Sequence, residues 1–246
     1  MALHLGRTIG NVGGVAWFGV ETGCVMAVMV ENWAAIQALV SRSLVVKVAG
    51  QIEPARYALD RAMRVVRGID HIAAGANERA ERIDLARVAA LYAGVAQMVA
   101  GPAKMPDDSA YDDAAETAAD QLKDILPAPD MDLMIRILKE HRKRDTQLAE
   151  AKHLADALAM EEFGMIGLWN QSRQFHNAGK TIEQLLKLWK AQHDYGYWES
   201  RLRDGFHYEV SRKAAKDRLG QMKGIYDRLQ REHLCEDIGG GSHGHY

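Results

Sequence analysis

The chain has 246 residues, enough for one large domain or two small ones, and 48% of them are apolar, so a substantial core is available. Lysine and arginine number 31 against 33 aspartates and glutamates. That balance argues against a nucleic-acid coat, which needs a basic surplus to neutralise phosphates, and no sequence-specific nucleic-acid partner is expected.

Residues 1–50 form an apolar, glycine- and valine-rich first zone. Within it, Thr8–Val30 carries a single formal charge, Glu21. No ordinary secretory signal is expected here, because the apolar run is too long and too glycine-rich and ends without a small-residue cleavage site. Glycines recur at four-residue steps, Gly6, Gly10 and Gly14, then Gly19 and Gly23. On a helix that spacing lines up a groove into which a second helix packs closely. The length suits a membrane span, but Glu21, Asn11 and the glycines oppose a permanent one. Three readings therefore stand: a core or inter-subunit helix, a conventional span, or a segment that is stored in an assembly and inserts into a membrane later. In the membrane or packing readings Gly10, Gly14, Gly19 and Gly23 pack helices, and Trp17 and Phe18 contact lipid or a neighbour. The next apolar stretch, Trp33–Val48, suggests a helical hairpin turning near Glu31-Asn32.

Residues 51–104 read as one long amphipathic helix or a broken pair. Leu59, Met63, Val66, Ile69, Ala73, Ala76, Ala80 and Ile83 recur at steps of three and four on one face. Asp60 with Arg64 and Glu78 with Arg82 sit on the other side at i,i+4 spacing. The alanine-rich stripe lets a neighbouring helix approach closely, and Gly101-Pro102 ends the pattern. Residues 105–130 are acidic, with eight acids against Lys123 alone. Ser109 and Asp112 suggest a capping box opening a short helix, and Pro127-Ala128-Pro129 a stiff connector. A calcium loop lacks the required ligand order, so a solvated acidic helix is the reading.

Residues 131–235 are long, charged and helical. Asp130 is expected to cap the first helix, Gly164 and Gly167 to break the run, Gly179 to close a helix as a C′ glycine, and Thr181 with Gln184 to form a capping box ahead of IEQLLKLWK. The tail, 236–246, is a Gly/His segment expected to be flexible. Its His243 and His245 suit only weak, incidental metal binding.

Motifs with chemistry are sparse. Asn177-Ala178-Gly179-Lys180-Thr181 ends like a phosphate loop, but the first glycine position is Gln174 and no strand precedes it. Glu150 and His153 have the spacing of helical di-iron ligands without the second copy that such sites need, so a solvated face is expected. His193-Asp194 has no partner ligands at recognisable spacing, and His141-Arg142-Lys143-Arg144 is read as a solvated basic run between Glu140 and Asp145. Nucleophile elbow, HExxH and CxxC are absent. Cys24 and Cys235 form neither metal spacing nor a disulfide framework and fit a reducing compartment, with one bridge left open. Neither metal nor cofactor is expected.

Nine of the 17 aromatic residues fall between Phe163 and Tyr208. They build either a core where helices fold back or a contact surface, for which Trp169, Phe175, Trp189, Tyr195 and Trp198 are the candidate anchors. The sequence thus implies an all-α, elongated fold of long amphipathic helices that oligomerises to cover its apolar end. The expected function is non-enzymatic: a homo-oligomeric ring or tube among other subunits of a larger assembly, of the phage-internal (ejection) or secretion type. It would be virion-borne or cytoplasmic and would engage a membrane conditionally. The alternative is a soluble helical adaptor that binds a protein partner through its aromatic-rich C-terminal half.

Overall fold

The computed structural model describes residues 23–47, 52–100 and 106–238, with side chains over 32–44, 55–98 and 106–238. Among these residues the fold is all-α, with ten α-helices, a single 3-10 turn and no strand. The first six helices are α1 (Gly23–Lys47), α2 (Ile52–Gly75), α3 (Ile83–Ala100), α4 (Asp108–Leu122), α5 (Ala128–Glu140) and α6 (Ala149–Ala159). They share one hydrophobic core. The 3-10 turn Met160–Glu162 leads into α7 (Gly164–Asn177), α8 (Ile182–Asp194), α9 (Tyr197–Asp204) and α10 (Glu209–His233), which surround a second core.

The centre of the first bundle is α3. Its sequence, IDLARVAALYAGVAQMVA, is apolar on every side, as a helix surrounded by others must be. Leu85, Leu91, Tyr92 and Val95 are fully buried, and α1, α2, α4, α5 and α6 all pack on it. Helices α2 and α3 approach closely: a Cβ at Gly94 would lie 3.3 Å from that of Ala62. A polar thread through this core runs from the Tyr92 hydroxyl to Gln121 Oε1 at 3.0 Å and from Gln121 Nε2 to Ser43 Oγ, tying α3, α4 and α1.

Several expectations change. Helix α1 runs through Glu31 and Asn32 without a turn, so no hairpin forms there. Ile36, Val40 and Leu44 are fully buried against α2 and α3, which makes the described part of the first zone core. No helix among the described residues is long and apolar enough to cross a membrane. The second zone is a broken pair, and the buried face of α2 is centred on Ala58, Ala62, Val65 and Ile69. Of the expected stripe, Val66 and Ile69 are buried, Leu59 and Met63 lie at the edge of that face, and the helix ends at Gly75. The Asp60–Arg64 pair forms. Glu78 and Arg82 instead lie in the loop between helices, where Glu78 takes Lys152 and Arg82 takes Asp84 and Asp130. The N-cap of α4 is Asp107, whose side chain accepts from Ala110 N at 3.0 Å, and Ser109 donates to the same carboxylate. Helix α5 begins within the proline pair, with Pro127 at its N-cap, so Asp130 is free to bind Arg82.

At α7 the two expected breaks divide. Gly164 has φ +75 and joins the 3-10 turn to the helix. Gly167 lies inside α7, where a Cβ would sit 2.0 Å from the Glu162 carbonyl oxygen. The α7–α8 junction matches its sequence signals. Gly179 has φ +65, Lys180 N donates to Phe175 O and Gly179 N to His176 O, closing α7. Thr181 and Gln184 then exchange the two bonds of a capping box. This cap-to-cap geometry accounts for the Gly-Lys-Thr sequence.

Candidate functional site

The aromatic segment builds the second core. Phe163, Trp189, Trp198, Phe206 and Tyr226 are buried; Trp189 stacks on Tyr226 with centroids 4.0 Å apart, and Phe163 meets Trp198 edge-on at 5.4 Å. Trp189 and Trp198 are therefore interior rather than surface anchors. Trp169 (62% exposed) and Tyr195 (87% exposed) remain accessible, and Phe175 is half-buried. Among the packing or membrane candidates, Gly10, Gly14, Trp17, Phe18 and Gly19 lie outside the described residues. Gly23 is the first residue of α1, where only the backbone is described.

A cavity of about 1020 Å³ opens between the two bundles. Tyr57 and Arg61 of α2, Met98 of α3, and His141 and Arg142 after α5 form one side; Asn170 and Arg173 of α7, Gln192 of α8 and Trp198 and Arg201 of α9 form the other. The bundles meet here through Glu161, on the 3-10 turn between them. Its side chain is 9% exposed and accepts from Arg64 at 3.2 and 3.0 Å, with Arg61 Nε at 3.6 Å. Asn170 Nδ2 donates to the Glu161 carbonyl oxygen at 3.0 Å, and the Tyr57 hydroxyl donates to Asn170 Oδ1. The Arg173 guanidinium lies 3.5 Å above the Tyr57 ring. Deeper along the wall, Arg201 binds Glu162 through two bonds and the Tyr197 hydroxyl donates to the same carboxylate.

The histidines and tyrosines of the wall are shifted from their ordinary values. Burial drives His141 down to about 4, so it is a neutral imidazole whose Nδ1 donates to Leu138 O at 2.8 Å. Burial also lowers His207. Burial raises Tyr57 and Tyr111, and pushes Tyr197 up to about 12 with help from the Glu162 charge. These phenols remain protonated hydrogen-bond donors over the physiological range.

The expected basic run is only partly solvated. His141 is buried, Arg142 pairs with Asp108 and lies over the Tyr111 ring, and Arg144 pairs with Asp204 across the bundle boundary. The Glu150–His153 pair also departs from expectation: both are buried. Glu150 Oε1 accepts from Arg82 N at 2.9 Å, and His153 Nδ1 bonds Ala149 O at 2.6 Å. The cause is position, since α6 packs on α2, α3 and α5 and leaves little surface outward. Among the described residues no group of three or more His, Cys, Asp or Glu side chains is close enough to hold a metal. His193 packs edge-on to Trp189, and Asp194 pairs with Lys190. Cys235 is exposed and unbridged, with φ +57 just after α10.

Of the cavity residues, Phe175 and Trp198 were already candidates from the sequence. Tyr57, Arg61, Glu161, Asn170 and Arg173 were not. Tyr57, Arg61 and Arg64 follow steps of four and three, a polar stripe beside the alanine face of α2, which is the one local signal of the site. Compared with protein-family models, curated proteins and solved structures, the chain matches none, so the functional reading rests on geometry.

Proposed function

We propose that this chain is a non-enzymatic binding protein whose recognition site is the cavity between its two helical bundles. The observation that carries the reading is the cavity wall: apolar and aromatic side chains interleaved with converging arginines and amides, in a volume at the upper end of the roughly 300–1,000 Å³ usual for ligand sites. Protonated phenols and neutral imidazoles in that wall suit holding a ligand better than moving protons at neutral pH. A thermal-shift panel of anionic, neutral and cationic small molecules tests it, run beside Ala155→Trp, which fills the cavity from α6. Ligand at 100-fold over Kd adds about 2.7 kcal/mol, which is about 5–10 °C for a chain of this size. We expect a dose-dependent rise of that order for at least one class, lost in Ala155→Trp. No shift, or equal shifts in both proteins, overturns the reading.

A second reading, assembly, has its own support in a separation of charge. Residues 107–130 carry eight acids to one lysine, and α10 carries seven bases to four acids. A second copy can set one face against the other, and such head-to-tail contacts close into rings or extend into tubes. Trp169 and Met165 are exposed beside Ile225 and Leu229 in a groove between α7 and α10. On this reading the protein is a structural subunit of a larger particle, of the phage-ejection or secretion type. It would be virion-borne or cytoplasmic, with 8–30 as a conditional membrane-engaging segment. Salt-sensitive self-association in sedimentation separates this reading from the first.

A further inference from the structure

We infer that the cavity takes a small organic anion with a flat apolar body, its charged end held by Arg173. The inference rests on the cavity being the binding site, and it adds the ligand class. Five arginines line the cavity (Arg61, Arg142, Arg144, Arg173 and Arg201) against three carboxylates (Glu161, Glu162 and Asp204). Each carboxylate is already engaged. Glu162 is taken by Arg201 and Asp204 by Arg144 and Arg203, while Glu161 is shared between Arg61 and Arg64. Arg142 reaches Asp108. Among the described residues, Arg173 has no carboxylate within 4 Å; its one recorded partner is the Tyr57 ring beneath it.

A guanidinium over a ring face keeps N–H donors that the ring does not take, and these suit an acceptor pair. A planar fork of donors matches a carboxylate, phosphate or sulfonate, and a fixed fork loses less freedom on binding than a mobile one. The fixing is visible: Tyr57 is held to Asn170, and Asn170 to the Glu161 backbone. The opposite wall has hydrogen-bonding capacity to spare. Trp198 is 4% exposed, and neither its Nε1 nor Gln192 Oε1, both buried, has a partner. Both residues line the cavity with Phe175, so a flat apolar body finds packing there, and a small side-chain shift brings one donor (Trp198 Nε1–H) and one acceptor (Gln192 Oε1) to its edge.

The test uses two dyes of similar shape, anionic anilinonaphthalene sulfonate and neutral phenylnaphthylamine, titrated into the full chain by fluorescence. Wild type, Arg173→Gln, Arg173→Lys, Ala155→Trp and Trp169→Ser are compared, each checked for helicity by circular dichroism. We expect the sulfonate to bind at least tenfold tighter than the neutral dye in wild type. Arg173→Gln should remove that advantage, Arg173→Lys should keep only part of it because an ammonium lacks the planar fork, and Ala155→Trp should weaken both dyes. Equal binding of the two dyes in wild type, with sensitivity to Ala155→Trp, overturns the anion inference and leaves the cavity as a site for neutral ligands. Binding that responds only to Trp169→Ser places the dye in the α7/α10 groove and overturns both readings. The wild-type dye ratio decides the charge question even if an arginine variant fails to fold.

Discussion

His141 concentrates the effect of burial on a single group. Its ring packs against the Tyr111 ring at 4.7 Å, and burial, helped by the neighbouring Arg142 charge, outweighs the bond to the Leu138 carbonyl and lowers its pKa to about 4, against about 6.5 in an unfolded chain. Between those values the unfolded state binds a proton that the folded state refuses, so stability falls as pH falls. The slope is about 1.4 kcal/mol per pH unit, which gives a loss of about 2 kcal/mol between pH 6.5 and 5. Urea unfolding at the two pH values should show this loss in the wild type and a smaller one in His141→Gln. An unchanged pH dependence in the variant would mean that His141 is not the group responsible. The burial was hidden in the sequence, where His141 opens a run of three basic residues; what encloses it is α4, about thirty residues earlier.

Junctions between elements behave differently, because their determinants are neighbours in the chain. The α7–α8 turn has its closing glycine and its capping box at the spacings that local hydrogen bonding requires. A Cβ at Gly179 meets nothing within 4 Å, so Gly179→Ala tests backbone strain alone. It should cost about 1–2 kcal/mol, and Thr181→Ala about 1 kcal/mol through the lost cap. Chemical denaturation of the two variants reads both; a neutral Gly179→Ala would show that the left-handed turn is not held in solution. The caps read incorrectly were those with a competing partner nearby. Asp107 stands two residues before Ser109 and takes the cap, and Asp130 is drawn to Arg82 from another element.

At the scale of the whole molecule, Glu161 is the charged contact that joins the two bundles beside the cavity, with Arg144–Asp204 a second ion pair across the boundary. Glu161 compensates Arg61 and Arg64, all three largely buried, and through Asn170 it also positions Tyr57 beneath Arg173. Glu161→Gln leaves Arg61 without its counter-charge and Arg64 with the exposed Asp60 alone. Removing one member of a fully buried pair costs about 3–5 kcal/mol, and the partial exposure here reduces that to about 2–3 kcal/mol. Hydrogen exchange should rise together in 57–64 and 161–173 if the contact joins the bundles. A drop in stability without that paired response would confine Glu161 to a local role.

Local chemistry alone was enough for the helical class, the Asp60–Arg64 pair and the α7–α8 junction, while the break between α2 and α3 stayed one of two alternatives. Each depends on residues within a turn or two of one another, where spacing in sequence is spacing in space. The apolar surround of α3 was also visible in composition, though not the neighbours that cover it. Only tertiary packing decided that Trp189 and Trp198 are interior while Trp169 is exposed, and that Glu150 and His153 turn inward. The same holds for Tyr57, Arg61, Glu161 and Arg173, which come from α2, the 3-10 turn and α7 to bound one cavity. Those residues are about a hundred positions apart, and no periodicity within a helix encodes which face of a distant helix it will meet.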